Sequence, residues 1–226
     1  MKEKGKLVVI EGTDCSGKNT QAVLLSKKLQ AMGYKAVNLS FPMYDSPTGK
    51  IIGGCILGRK DIGECYFEEG SSNIDPKISG LYYAADRKYN FAKIENYLNE
   101  GYFVILDRYV SSNMAHQGAK IKNAEERFHF IRWIDKLEYW LLELPKADYT
   151  FYLHVPFSIT KKLMKNRQVL DEIEKDDEHL IQAEETYKEL AELYHWNTIH
   201  CMNVETEQLK NVDEINNEIM NHLLTT

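Results

Sequence analysis

The chain has 226 residues, enough for one α/β domain or two small ones and for a sizeable buried core. Its formal net charge of −6 argues against a non-specific nucleic-acid binder, and its four cysteines (Cys15, Cys55, Cys65, Cys201) show no C-x-x-C pair and no metal-ligand spacing. No stretch approaches the roughly 20 apolar residues of a membrane helix, and residues 1–5 lead straight into a strand with no apolar signal segment. The expectation is one domain over residues 1–226, soluble and cytoplasmic, with reduced thiols and with neither nucleic acid nor membrane as partner.

Residues 7–10 form a short apolar run of strand type. Gly12 and Gly17-Lys18 follow at the spacing of a phosphate-binding loop, and a helical stretch over 20–32 comes straight after. In such a loop successive backbone N–H groups and the helix N-terminus make an anion cradle, and the lysine adds a mobile positive charge. The residue after the Gly-Lys pair is usually Ser or Thr, whose hydroxyl ligates Mg²⁺. Here it is Asn19, and Thr20 stands about 100° further around the helix. An Asn carbonyl is a weaker but workable ligand for the ion. Cys15 reads as a small loop residue.

A second strand run covers 36–40. Glycines at 53, 54, 58 and 63 mark a loop region over 53–74. Asp75-Pro76 reads as N-cap and first residue of a helix running to about residue 98. The strand run 102–106 is followed by Asp107-Arg108-Tyr109. Ligands of open parallel sheets sit at the carboxyl ends of strands, so Asp107 suits a magnesium-bound water and Arg108 an anion. The same two residues also suit a strand-end salt bridge.

Over 123–144, Phe128, Ile131, Ile134, Leu137, Leu141 and Leu144 make a helical stripe, read as core, with Trp133 and Trp140 beside it as packing or interface residues. Pro145 ends the helix. A strand over 149–155 follows. The charged stretch 161–180 reads as a solvated face or as a lid, and 198–202 as a last strand. Strands alternating with helices predict an α/β fold, a mostly parallel sheet covered on both faces.

Several blocks, in order, resemble the thymidylate kinase family. They are Glu11 through Gln21, Phe41-Pro42, the stretch 81–87, Asp107 through Gly118, and 144–148 leading to 153–156. The resemblance runs from about residue 6 to about 190. It implies a P-loop kinase three-layer fold with a five-stranded parallel sheet and a short lid near 161–180. The implied activity is transfer of the γ-phosphoryl group of ATP to dTMP, in dTTP synthesis, with ATP and Mg²⁺ required and a homodimer as the common assembly.

Carried over by position, the resemblance makes Gly12, Thr13, Asp14, Cys15, Ser16, Gly17, Lys18, Asn19 and Thr20 the phosphate cradle. It makes Lys18, Arg108, Asp14 and Arg167 the catalytic group, and gives Asp14 the sugar 3′-hydroxyl. Phe41, Pro42 and Tyr44 line the nucleoside pocket, Tyr83 stacks on the base, and Arg87 reaches it. Ser112 and Asn113 read the base, with His116 and Gln117 nearby. Asn19 and Asp107 are the metal candidates. Asp171 and Glu174 match an acidic pair of the lid.

The chain departs from the family pattern at Asn19. His116 stands where Tyr packs on the sugar, Met43 where Arg is common (Tyr44 being the nearest substitute), and His154 where Asp is common. Three other readings follow: a nucleoside monophosphate kinase of different or broader acceptor range, a deoxynucleoside kinase with Glu11 as base, and a weakly catalytic nucleotide-binding protein.

Overall fold

The computed structural model describes residues 4–165, 174, 176–203, 205–206 and 208–225. Five strands, β1 (Lys6–Glu11), β2 (Ala36–Ser40), β3 (Phe103–Asp107), β4 (Tyr149–His154) and β5 (Asn197–His200), form one sheet in the order β2-β3-β1-β4-β5. Every pairing is parallel. The helices are α1 (Lys18–Ala31), α2 (Pro47–Ile51), α3 (Pro76–Asn99), α4 (Val110–Gly118), α5 (Ala124–Asp135), α6 (Phe157–Met164), α7 (Asp177–Leu193) and α8 (Val212–Leu224). Two π-helical segments, Ile52–Ile56 and Lys136–Leu141, continue α2 and α5.

Successive side chains of a strand point to opposite faces. In β1, Val8 and Ile10 therefore join the core under α1 and α8, while Leu7 and Val9 join the core under α3, α4, α5 and α7. Both faces are buried, which is why residues 7–10 of β1 are apolar without alternation. Each such residue contributes roughly 1.5–3 kcal/mol of burial, so the loop leaving β1 starts from a fixed base. Ile10 and Ser40 both pair with Asp107, so β1, β2 and β3 end at one level. The chain runs from β1 outward to β2, returns to β3, and crosses to β4. The strand order reverses beside β1, where parallel sheets leave a crevice at their carboxyl ends.

The expected strands appear with ends shifted by one or two residues. Met202 is no strand member but makes an isolated antiparallel bridge to Leu209. Asp75 caps α3, accepting from the N–H groups of Lys77 and Ile78 at 2.8 and 3.2 Å. The stripe over 123–144 needs correction. Ile131, Ile134 and Leu144 are buried, but Phe128 and Leu141 are exposed, and Phe130 takes the inward place. Phe128 lies off the face that Arg127, Phe130, Ile131 and Ile134 bury, and the π segment adds residues to a turn, so the 3.6-residue period no longer places Leu141 inward. Glu138, wholly buried, lies four residues after Ile134 and seven after Ile131 on the same inward face, where it meets Arg87 of α3. Trp133 packs on the core and Trp140 is exposed. The region 53–74 is not all loop, since the first π segment occupies its start. Of the stretch 161–180, the first part ends α6 and the last begins α7. Arg167 and Asp171 lie outside the described residues.

Candidate active site

The phosphate loop leaves β1 at Gly12 and enters α1 after Gly17. A Cβ on Gly12 would meet the Ser16 Oγ at 2.6 Å and the Leu153 carbonyl at 2.8 Å, so only glycine fits. Gly17 caps α1 with a left-handed φ of 88°. The Lys18 ammonium is buried and donates to the Thr13 carbonyl at 2.7 Å, curling the loop around it. Burial first, then the nearby Arg108 charge, lowers its pKa to about 8. Asn19 and Thr20 are exposed on the cleft side of the loop.

That cleft, about 1070 Å³, is lined by Asp14, Cys15, Gly17, Lys18, Asn19, Thr20, Asp107, Arg108 and Glu174, with Arg59, Lys60 and Asp61 facing them. Asp107 is buried and its Oδ1 has no hydrogen-bond partner among the described residues. An orphaned carboxylate oxygen and an amide carbonyl lining one cleft are donors that suit a hard divalent cation.

A second, narrower pocket opens from the same place. It is lined by Asp14, Phe41, Pro42, Tyr44, Tyr83, Arg87, Arg108, Ser112, Asn113, His116 and Gln117, together with Leu57. The turn carrying Phe41 and Pro42 is held to α3 by Asp86, which accepts from the Met43 N–H at 3.0 Å and the Thr48 hydroxyl at 2.7 Å. Arg87 reaches the pocket pinned to Glu138, Nε to Oε2 at 2.5 Å and Nη2 to Oε1 at 2.6 Å. The Asn113 amide donates to the same Oε1 at 2.9 Å and to the Gly80 carbonyl at 3.0 Å. With both donor contacts made, the Asn113 Oδ1 is a buried acceptor without a partner among the described residues, and so is the Gln117 Oε1.

Arg108 stands where the two spaces meet. Its φ of 69° is rare for a residue with a side chain. The conformation is held by a backbone bond to the Ile10 carbonyl at 3.1 Å and by four side-chain partners. Nη2 pairs with the Asp14 carboxylate, while Nη1 donates to Ser112 Oγ at 3.1 Å, His116 Nε2 at 3.0 Å and Tyr187 Oη at 3.2 Å. A guanidinium cannot accept, so His116 Nε2 is the unprotonated nitrogen and Nδ1 carries the proton. Burial and then Arg108 hold the His116 pKa well below the usual value.

Glu11 sits beneath this hub, fully buried. Its carboxylate accepts from the N–H groups of Tyr109 and Ser112 at 2.9 and 3.1 Å, capping α4 from another element. It also accepts from the hydroxyls of Ser112 at 2.6 Å and Tyr187 at 3.0 Å. With these four donors engaged and no surface on either space, Glu11 is not available as a catalytic base. The deoxynucleoside kinase reading loses its base.

The sequence reading missed Glu138, Tyr187, Leu57 and Arg59. Glu138 lies on the buried face of Ile131 and Ile134, and a stripe read from apolar residues alone passes over it. Tyr187 lies on α7, 176 positions from Glu11 and outside every motif, yet its hydroxyl serves Arg108, Ser112 and Glu11.

A phosphate loop opening into a pocket with a half-buried arginine at the junction defines the class, an ATP-dependent nucleoside monophosphate kinase. The model of the family "Thymidylate kinase" matches residues 10–215, and the chain belongs to the thymidylate kinase family. It is 31% identical over 194 residues to a probable thymidylate kinase of Thermococcus kodakarensis, covering 83% of this chain and 84% of that protein. It is 30% identical over 188 residues to the thymidylate kinase of Thermosipho africanus, covering 82% and 84%. Among solved structures, the thymidylate kinase of Candida albicans, described as having broad substrate specificity, superposes with a TM-score of 0.74. It is 26% identical and covers 98% of this chain and 92% of that one.

Proposed function

We infer that the protein transfers the γ-phosphoryl group of ATP to the 5′-phosphate of dTMP, giving dTDP and ADP. The observation that carries this is the meeting of the two spaces at Arg108: a pocket with an orphaned amide acceptor, and a cleft floored by the phosphate loop. Thymine carries a hydrogen on N3 and cytosine does not. The Asn113 Oδ1 suits that hydrogen, and a base lacking it leaves a buried acceptor unpaired at a cost of about 1–3 kcal/mol. Arg87, held by Glu138, offers donors to the base carbonyl beside it. Tyr83 and Phe41 supply flat apolar walls, and Asp14 the acceptor for a sugar hydroxyl.

The attacking phosphate oxygen is already anionic, so positioning and charge neutralisation suffice. Gly12 through Thr20 cradle the β- and γ-phosphates, Lys18 stabilises the migrating group, and Arg108 holds the acceptor phosphate towards it. Asn19 and Asp107 supply oxygens for Mg²⁺, which neutralises phosphate charge when bound. A homodimer and a cytoplasmic location belong to the same proposal. The dimer is supported by an exposed apolar stripe on α3, Ile78, Leu81, Tyr82 and Tyr89, and the location by four cysteines that are all thiols.

A broader acceptor range is favoured by one observation. His116 presents an imidazole, smaller than a phenol, to the pocket. ATP and Mg²⁺ are offered with dTMP, dUMP, UMP, dCMP, dGMP or thymidine, and ADP release is followed. Selective turnover of dTMP supports the main reading, comparable turnover of UMP and dUMP the broader one. Nucleotide binding with no acceptor turnover overturns both.

A further inference from the structure

One wall of the cleft is the segment after the first π segment, Arg59 to Asp61. Among the described residues, Lys18, Arg59, Lys60 and Arg108 are the cations lining the cleft, so half of them come from that wall. Asp14, Asp61, Asp107 and Glu174 also line it, so the described lining is formally neutral before two polyanionic nucleotides arrive.

Arg59 is built into place. Its N–H donates to the Gly53 carbonyl at 2.8 Å, and its own carbonyl accepts from Ile62 and Gly63 at 2.9 and 2.8 Å. Its guanidinium lies 4.4 Å from the centroid of the Tyr44 ring. Tyr44 can sit there because Gly53 has no side chain; a Cβ would meet the ring at 2.9 Å and the Ile62 methyl at 2.4 Å. Asp61 clips the guanidinium, Nε at 3.3 Å and Nη2 at 3.1 Å. The Asp61 side chain is 64% exposed, so this clip is weak and readily exchanged. A planar guanidinium stacked on an aromatic ring, its fork turned to a loose carboxylate, matches the geometry of a phosphate.

We propose that Arg59 is a phosphate-contacting residue, exchanging Asp61 for oxygens of the nucleotide phosphates in the cleft while Tyr44 holds its plane. The effect on turnover rests on the phosphoryl-transfer reading above. The contact itself needs only a polyphosphate.

The test compares the unaltered protein with Arg59→Gln and Asp61→Asn. Affinity for tripolyphosphate with Mg²⁺ is measured by calorimetry, and turnover of ATP with dTMP alongside it. Arg59→Gln weakens tripolyphosphate about tenfold and lowers kcat on the order of 100-fold, with the dTMP KM nearly unchanged. Asp61→Asn tightens tripolyphosphate, because the competing carboxylate is gone. Equal affinity in Arg59→Gln and the unaltered protein overturns the proposal. So does equal weakening in both variants, which would make the clip a brace for the loop. If the unaltered protein binds tripolyphosphate through Arg59 but does not phosphorylate dTMP, the functional reading fails and the Arg59 contact stands.

Discussion

Arg87 and Glu138 form a two-pronged ion pair where neither side chain meets solvent: 3% of the arginine and none of the glutamate is exposed. Removing one partner of such a pair leaves an uncompensated buried charge. Glu138→Ala is expected to destabilise the protein by about 3–5 kcal/mol, read by denaturant unfolding. The double variant Arg87→Met/Glu138→Leu removes both charges and is expected to recover most of that stability. It would still bind dTMP weakly, because the donors facing the base are gone. Recovery of dTMP affinity along with stability would show that the pair serves only the fold.

Lys18 gives a proton-linked prediction. Its pKa is about 8 without nucleotide, because burial disfavours the ammonium. A phosphate beside it favours the charged form and raises that value. Binding of ATP above pH 8 is therefore accompanied by proton uptake, measured by calorimetry in buffers of different ionisation enthalpy. Lys18→Met abolishes the uptake. Uptake that persists in the variant would place the proton elsewhere.

Much of the site was legible because it is local in sequence. Gly12 to Thr20 carry their conformation in their own spacing, and Asp107-Arg108 follow an apolar strand. What was not legible depends on packing between distant segments. Glu138 shares the inward helical face of Ile131 and Ile134, but its own segment gives no sign of the arginine on α3 that would pair with it. Glu11 resembled a base beside the loop, and became a helix cap only once β1 and β3 were paired. Tyr187 and Arg59 reach the site from α7 and from a glycine-punctuated loop, neither of which announces a direction for its side chains.

His179 makes stability depend on pH. Its ring stacks on His116 with centroids 5.9 Å apart, and its Nε2 is buried without a partner among the described residues. Burial first, then the Lys120 charge, lowers its pKa from 6.5 to about 4. Between those values the unfolded chain binds a proton that the folded chain refuses, so stability falls as pH drops through that window. The loss is on the order of 3 kcal/mol. His179→Phe keeps a stacked ring and is expected to flatten the acid side of the stability profile from pH 6.5 to 4. An unchanged slope would assign the acid loss to other groups.

Asn19 is where the phosphate loop departs from its usual chemistry. It is exposed on the cleft, and Asp107 offers an orphaned carboxylate oxygen in the same space. A threonine hydroxyl is the usual magnesium ligand here, and an amide carbonyl is a weaker one. If Asn19 limits the hold on the ion, Asn19→Thr lowers the Mg²⁺ concentration needed for half-maximal turnover and leaves the rate at saturating Mg²⁺ nearly the same. Asp107→Asn acts in the opposite direction, because it removes the only full negative charge of the pair. A Mg²⁺ titration of ADP release on the three proteins separates the contributions. If neither substitution moves the midpoint, the ion is held by phosphate oxygens and water alone, and Asn19 costs the protein nothing.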